Sequence, residues 1–291
     1  MDQASFFDAL LPPAMAQKAE DLGVRKAKLP FVQLFFLAFL AGAFIAMGAI
    51  FSTVVLSGAT ALPYGLGRML AGLAFCLGLI LVVVGGAELF TGNCLIIMAW
   101  ANKKVTTLGL LRNWGIVYLG NLVGSVGTAV VMLLAKQYTF GSGIAGETAL
   151  KIAVSKVNLG FVQAIALGML CNCLVCLAIW MTFGAHSTTD KILAIIFPIA
   201  GFVAAGFEHS VANMYFIPYG LLVQQFDSAF VVSLGDKVNV ASLSWESFFL
   251  NNLLPVTIGN IIGGSIMVGI IYYLIYLRGA KSTKTVEQKP T

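Results

Sequence analysis

Two short segments of this 291-residue chain share the pattern Gly-x-Glu-x-x-x-x-Asn and lie 120 positions apart. The first runs over residues 86–93 and the second over residues 206–213, and their carboxylates are Glu88 and Glu208. Each carboxylate lies within a long apolar run, where a charge costs at least ~2.5–3.5 kcal/mol. Because the same costly residues recur, we expect two interrupted membrane helices whose breaks meet at one central site for a small solute.

The polar groups of these two segments predict an anion site. A broken helix leaves N–H groups at the start of its second half, with partial positive charge aimed at the protein centre. Asn93 and Asn213 are expected to cap these second halves, and Glu88 and Glu208 to accept hydrogen bonds from freed amides. His209 can donate a hydrogen bond to an anion or exchange a proton near neutral pH. The alternative for this histidine is a core residue with satisfied hydrogen bonds.

Three further residues are candidates for the same pathway. Thr91, in the matching segment, offers a hydroxyl to the point that His209 reaches, or else bends the helix locally. Lys156, at the end of an apolar run, would concentrate anions in a vestibule, or else extends its charge to the membrane interface. Asn172, within another apolar run, is expected to hydrogen-bond a broken helix backbone or a neighbouring side chain.

The cysteines do not predict a metal site. All five lie in apolar runs, and three of them are close together at residues 171–176. On a helix, however, Cys171 and Cys173 are ~200° apart and cannot ligate one ion. We therefore interpret the cysteines as small buried residues, and no metal or cofactor is predicted.

The composition indicates a polytopic all-α membrane protein. Hydrophobic residues make up 59% of the chain and charged residues only 10%, whereas soluble domains carry about 25% charged residues. A membrane helix needs ~20 apolar residues, and six stretches meet this length. These predicted spans cover residues 29–67, 69–102, 113–135, 157–185, 192–226 and 247–277.

A second match supports an internal repeat. Asn113 and Asn121 are eight positions apart in the third span, and Asn252 and Asn260 have the same spacing in the sixth. Each half then holds three spans, of which the middle one is broken. Three is an odd number, so the halves must lie in opposite orientations across the membrane. The sequence therefore predicts an inverted repeat, the alternative being chance similarity between glycine-rich stretches.

The distribution of Lys and Arg predicts the topology and the domain organisation. These residues are concentrated at 18–28, 103–112 and 278–289, so both termini are expected in the cytoplasm. The net charge of +5 follows from this asymmetry and predicts no nucleic-acid partner. We expect a cytoplasmic segment at 1–30 with a short amphipathic helix, one transmembrane domain at 31–278 with repeats at about 31–137 and 157–278, and a disordered cytoplasmic tail at 279–291.

Several motifs resemble the formate/nitrite transporter family. They lie at residues 86–92, 206–213 and 255–264, and the segment at 10–20 is similar to the formate-channel branch of that family. The resemblance extends from about residue 7 to residue 278. It implies aquaporin-like protomers, each with its own pore, that form a homopentamer in the lipid bilayer of the bacterial inner membrane.

The resemblance also implies a pathway through each protomer. Thr91 and His209 would lie in the loops that break the second and fifth spans. Four polar residues would surround the histidine, namely Lys156, Asn172, Glu208 and Asn213. Six apolar residues would form the constrictions, with Phe75 and Phe202 on the outer side and Leu79, Leu89, Phe90 and Val175 on the inner side. From the sequence alone, the two outer phenylalanines are more typical of lipid-facing or core positions than of a constriction.

The predicted function is a bidirectional channel or transporter for small monovalent anions, above all formate. The anion is expected to pass through the His/Thr site, and protonation of the substrate there is one possible mechanism. Nitrite, hydrosulfide, acetate and lactate are further candidate substrates. The alternative is a proton-coupled nitrite or hydrosulfide transporter of the same family. An enzyme is disfavoured because the spans lack nucleophile–base spacing and a nucleotide motif. A water or glycerol channel is disfavoured because neither break contains Asn-Pro-Ala.

Overall fold

The computed structural model describes residues 9–278, and its regular structure is helical, without a β-strand among these residues. The predicted all-α class is therefore confirmed. The predicted disordered tail at 279–291 lies outside the described residues. The helices are α1 Pro12–Ala27, α2 Phe31–Leu56, α3 Tyr64–Gly85, α4 Phe90–Ala101, α5 Thr107–Leu134, α6 Ile144–Val157, α7 Phe161–Gly184, α8 Thr188–Ala204, α9 Ser210–Phe226, α10 Ser228–Ser233 and α11 Ser247–Leu277.

Five of these helices, α2, α3, α5, α7 and α11, are long and apolar enough to cross a membrane. The fifth apolar run of the sequence forms two helices of 17 residues each, α8 and α9. The sequence placed the start of the second span at residue 69, whereas α3 begins at Tyr64. The difference arises because a charge at position 68 predicts the boundary of a span, whereas Arg68 lies within α3 and donates to the carbonyl groups of Val203 and Ala204.

Both interruptions begin at a glycine in the left-handed region of backbone conformation. Gly86 ends α3 with φ +79°, and Gly206 follows α8 with φ +76°. Side chains with a Cβ rarely adopt this conformation, so glycine is the residue that turns the chain out of the helix. After each turn the chain is extended for a few residues and then enters α4 or α9.

The two halves of the chain pack in the same way. In the first half α2 lies against α3 and α5, and in the second half α7 lies against α8 and α11. Across the halves α3 packs on α8, α9 on α5, and α4 on α11. Close helix approach requires glycine at matching places: a Cβ on Gly124 would collide with the Phe39 carbonyl oxygen, and one on Gly263 with that of Met169.

Two shorter helices, α1 and α6, complete the halves. Helix α1 packs against α4 and is tied to the rest of the molecule by polar contacts. Its Lys18 Nζ donates to the Phe183 carbonyl oxygen at 2.8 Å, and its fully buried Glu20 pairs with Lys104 at 2.5 Å. Desolvation on burial, together with the nearby Lys191, lowers the pKa of Lys18. Helix α1 is therefore docked on the helical bundle.

Candidate functional site

Asparagine side chains satisfy the backbone at the first break. The Phe90 amide donates to Asn121 Oδ1 at 2.9 Å, and Asn121 Nδ2 donates to the carbonyl oxygens of Glu88 at 3.0 Å and Ala38 at 2.8 Å. Hydrocarbon offers no partners to such groups, so a buried side chain must supply them. Asn121 therefore links the break in the second span to the neighbouring helix α2.

The second break repeats this arrangement. The Ser210 amide donates to Asn260 Oδ1 at 2.9 Å, and Asn260 Nδ2 donates to the carbonyl oxygens of Glu208 at 2.9 Å and Gly168 at 2.8 Å. Asn260 thus has the role in the second half that Asn121 has in the first. The equal spacing of the asparagine pairs in the sequence agrees with this shared structural role.

The carboxylate of the first break is held by a lysine and an asparagine. Glu88 accepts from Lys26 Nζ at 3.0 Å and from Asn93 Nδ2 at 2.8 Å. Asn93 Nδ2 also donates to Asn113 Oδ1 at 3.0 Å, and Asn113 Nδ2 donates to the Lys26 carbonyl oxygen at 3.0 Å. The result is a closed ring of polar contacts that ties α1 to the break.

The same ring recurs at Glu208. This carboxylate accepts from Lys156 Nζ at 2.9 Å and from Asn213 Nδ2 at 2.7 Å. Asn213 Nδ2 also donates to Asn252 Oδ1 at 2.7 Å, and Asn252 Nδ2 donates to the Lys156 carbonyl oxygen at 2.9 Å. Lys26 on α1 and Lys156 on α6 are therefore counterparts, which extends the correspondence between the halves beyond the bounds expected from the sequence.

Two local predictions for these segments are wrong. Asn93 and Asn213 do not cap the second half-helices, because both lie inside them and donate to Glu88 and Glu208. The carboxylates in turn accept from side chains, because the freed amides are already taken by asparagines. The residue that caps α9 is His209, whose Nδ1 accepts from the Ala212 amide at 3.1 Å.

The two breaks meet at a contact between Thr91 and His209. Thr91 Oγ1 lies 2.9 Å from His209 Nε2, and both side chains are buried. A neutral imidazole has one donor and one acceptor nitrogen. Because Nδ1 accepts from Ala212, Nε2 carries the proton and donates to Thr91. A second proton can bind only at Nδ1, and it displaces the bond that caps α9.

An apolar constriction surrounds this contact. The Phe202 ring stacks on the His209 ring with centroids 5.9 Å apart, and Phe75 meets Phe202 edge-on at 5.6 Å. The space they enclose is too narrow to admit a water molecule in this conformation. Its remaining walls are Ile45, Leu79, Leu89, Val175 and Ile199.

A cavity lies on each side of the constriction. The Lys26 vestibule, a cavity of about 290 Å³, is lined by Lys26, Glu88 and the last turns of α3. The Lys156 vestibule, of about 250 Å³, is lined by Lys156, Glu208 and the first turns of α3. The 22 residues of α3 span ~33 Å. The two vestibules therefore lie at opposite ends of α3, and the constriction separates them.

Asn172 and Cys176 hold the carbonyl group of Thr91. Asn172 Nδ2 donates to the Thr91 oxygen at 3.2 Å and to the Asn260 oxygen at 2.7 Å, and Cys176 Sγ lies 3.4 Å from the same Thr91 oxygen. Gly264 makes room for this contact, because a Cβ there would overlap the Asn172 amide and lie 2.8 Å from Cys176 Sγ. Asn172 thereby connects the first break to Asn260, whose side chain bonds the backbone of the second break.

The structure brings most of the predicted residues together, in three groups. Lys156 and Glu208 line a vestibule, and Asn172 and Asn213 lie behind the breaks as hydrogen-bond donors. The constriction contains His209 and five of the six predicted apolar residues, which are Phe75, Phe202, Leu79, Leu89 and Val175. Phe90 lies outside it, since its ring packs edge-on against Tyr118 and Trp114.

Sequence reasoning missed the roles of Lys26, Asn121 and Asn260. A signal is present in the sequence for the two asparagines but not for Lys26. The repeated spacing marks the two asparagines, and each is a buried amide opposite a break. Lys26 lies 62 positions before Glu88 and Lys156 lies 52 positions before Glu208. This unequal spacing conceals the correspondence, and only the packing of α1 reveals it.

Comparison with known proteins gives consistent matches over nearly the whole chain. The model of the formate/nitrite transporter family matches residues 13–274. The formate channel FocA of Escherichia coli K12 is 44% identical over 274 residues, which cover 94% of this chain and 96% of that protein. FocA of Haemophilus influenzae is 40% identical over 265 residues, covering 90% of this chain and 93% of that protein.

Solved structures agree with the sequence matches. A structure described as a pentameric formate channel with formate bound aligns with a TM-score of 0.80 and 46% identity, covering 85% of this chain and 98% of that one. A structure described as an ion channel of the FNT family aligns with a TM-score of 0.76 and 27% identity, covering 90% of this chain and 98% of that one.

Proposed function

This chain belongs to the formate/nitrite transporter family, and we propose that it is a pore for small monovalent anions with formate as its principal substrate. The observation that carries the proposal is the contact between Thr91 and His209. It joins two helix breaks from opposite halves, and it lies in a constriction between two vestibules. A pathway for a small solute needs such a narrow central passage with an entrance on either side.

We assign each group of residues a step in passage. An anion entering the Lys156 vestibule is attracted by Lys156. The phenyl rings of Phe75 and Phe202 limit the size of the solute that passes between them, because an apolar gate excludes bulky hydrated solutes. At the centre, His209 Nε2–H and the Thr91 hydroxyl offer hydrogen bonds to the anion in place of its water.

The desolvation cost explains why polar groups occur only at the centre of the constriction. A bare anion in an apolar passage loses hydration worth many kcal/mol unless hydrogen bonds or a proton compensate. The N-termini of α4 and α9 add partial positive charge at the same point. A carboxylate as small as formate fits these donors, and protonation at the histidine is a second way to neutralise it.

The proposal extends to the assembly and its surroundings. The protein is an integral membrane protein, and we propose a homopentamer in the bacterial inner membrane with both termini in the cytoplasm. The Lys26 vestibule then faces the cytoplasm, with α1 of the 1–30 segment at its edge as a modulator of flux, and the Lys156 vestibule faces outward. Large exposed apolar side chains on the spans, such as Phe36, Leu119 and Phe197, support burial against lipid or neighbouring subunits.

The test is anion flux into proteoliposomes that contain the purified protein. We expect rapid movement of formate, slower movement of acetate and lactate, and loss of all flux in His209→Phe. Competition among formate, nitrite and hydrosulfide ranks the substrates, and planar bilayer recordings distinguish a channel from a slow proton-linked carrier. If the parent protein moves nitrite or hydrosulfide but not formate, the choice of substrate is wrong. If it moves no small anion, the function itself is wrong.

A further inference from the structure

The two vestibules differ in charge although related halves form them. Among residues 9–278, Lys26 and Glu88 are the only charged residues that line the Lys26 vestibule. The Lys156 vestibule is lined by Lys156, Glu208 and also Arg68. Each lysine pairs with its carboxylate. The ionised side chains thus give the first vestibule no net charge and the second a net charge of +1.

Arg68 is fixed beside the second break. Its guanidinium donates to the carbonyl oxygens of Val203 and Ala204, which end α8. Its Nη2 lies 3.5 Å from the position that a Cβ on Gly206 would take, close in sequence to Glu208. The C-terminus of a helix carries partial negative charge, which holds the guanidinium at this place.

The guanidinium retains donors for another ligand. None of the ion pairs within residues 9–278 includes Arg68. A guanidinium has five N–H donors in a fork that matches a carboxylate, and two of its nitrogens are engaged by helix carbonyls. The side chain is half-buried at the wall of an open cavity, so an anion can reach the remaining donors.

Lys26 and Lys156 also differ in how many of their hydrogen-bond donors are engaged. Lys26 Nζ contacts both Glu88 oxygens at 3.0 Å and also Asn93 Oδ1 at 2.9 Å. In the described part of the chain, Lys156 Nζ donates a hydrogen bond to Glu208 alone at 2.9 Å and lies over the Phe216 ring, 5.3 Å from its centre, and the matching Asn213 Oδ1 has no partner. An ammonium has three donors. Lys26 is therefore saturated by its own half of the protein, whereas Lys156 has donors left for a ligand.

We propose that Arg68 is an anion-capturing residue, and that with Lys156 it makes the Lys156 vestibule the higher-affinity entrance for small carboxylates. The proposal rests on the proposed function, in which the pore carries formate. A fixed charge in a cleft with apolar walls raises the local concentration of the opposite charge. For a unit charge ~8 Å from the anion path at an effective dielectric of ~40–80, the increase in local anion concentration is about two- to sixfold.

The experiment measures the half-saturating formate concentration for entry from each side. Membrane vesicles of the two opposite orientations expose the Lys156 or the Lys26 vestibule to the added formate. The variants are Arg68→Gln, which removes the charge, and Arg68→Lys, which keeps it. Lys136→Gln is the matched control, because it removes a positive charge that lines neither vestibule. Each is measured at ionic strengths of about 0.01 M and about 1 M, between which the screening length falls from ~30 Å to ~3 Å.

We expect the parent to reach half-saturation at a lower formate concentration when formate enters from the Lys156 side. At low salt Arg68→Gln should raise the half-saturating formate concentration on the Lys156 side about two- to sixfold, with less than half that effect on the Lys26 side. Arg68→Lys and Lys136→Gln should have half-saturating formate concentrations near that of the parent. High salt should remove the difference between Arg68→Gln and the parent. Equal effects of Arg68→Gln from both sides, no effect, or equal loss in Arg68→Gln and Arg68→Lys would overturn the assignment. A parent that carries no formate from either side would instead refute the proposed function.

Discussion

Replacing His209 with asparagine separates the two tasks of this side chain. Its Nδ1 caps α9 by accepting from the Ala212 amide, and its Nε2–H donates to Thr91 Oγ1 in the constriction. Asparagine is among the best N-cap residues, so Oδ1 can replace Nδ1. His209→Asn should therefore retain the thermal stability of the parent, whereas His209→Ala should lose about 0.5–2 kcal/mol with the cap.

The expected change in flux follows from the proton at Nδ1. Binding a second proton there displaces the capping bond, at a cost of about 1 kcal/mol. An anion ~4 Å from the charged ring returns about 4 kcal/mol at an effective dielectric of 20. The anion therefore offsets the lost cap and part of the cost of charging a buried ring, and formate entry in the parent should rise as the pH of the formate side falls. Asparagine does not titrate, so His209→Asn should carry formate with less than about a twofold change between pH 7 and pH 5.

The assay is initial formate influx into proteoliposomes across this pH range, with protein content and oligomeric state matched between variants. His186→Asn is the control, because it removes the other histidine of the chain, which lies on the surface between α7 and α8. The reasoning fails if His209→Asn keeps the full pH dependence of the parent. It also fails if a folded His209→Asn protein passes no formate at any pH, because the amide retains the donor to which we attribute anion binding.

Three further predictions test the remaining parts of the pathway. Phe75→Ala and Phe202→Ala should each raise lactate flux relative to formate by at least about threefold, since each removes a ring of the apolar gate; an unchanged ranking in proteoliposomes would place the gate elsewhere. Gly264→Ala should lower formate flux at least tenfold, the effect of ~1.4 kcal/mol, because the new Cβ displaces the Asn172 amide that holds the first break. Gly127→Ala is the control and should match the parent, because its Cβ would meet no described atom within 4 Å. Glu20→Gln should weaken the docking of α1 by about 1–3 kcal/mol, seen as faster amide exchange in residues 12–27; parent-like exchange would show that apolar contacts alone hold the helix.

Much of the architecture follows from simple sequence patterns. The last span matches the predicted bounds, and both breaks occur at the glycines that precede Glu88 and Glu208. These features could be predicted because hydrocarbon tolerates a carboxylate or an interrupted backbone only for a local reason. That restriction makes polar residues in apolar runs unusually informative.

The partners within the site could not be predicted in the same way. Asn93 fits the composition of a helix cap, but its role depends on whether Glu88 or a free amide lies within reach, which only the fold decides. The role of Arg68 depends likewise on the end of α8, 135 positions further along the chain. Single-residue preferences describe local backbone, whereas these contacts join segments that meet only in the folded protein.

The duplicated scaffold and the single central site also have different sequence requirements. Carboxylate, lysine and asparagine recur in both halves because each break must satisfy the same backbone groups. The central residues do not recur: 120 positions from His209 lies Leu89, and 120 positions from Thr91 lies Val211. Since the breaks meet at one point, one histidine and one threonine from opposite halves complete the site there. A second imidazole at residue 89 would add another polar group to the apolar constriction, where an unpaired polar group is costly. The repeated residues therefore stabilise both breaks, whereas the proposed site contains one histidine and one threonine, and the two vestibules differ in charge.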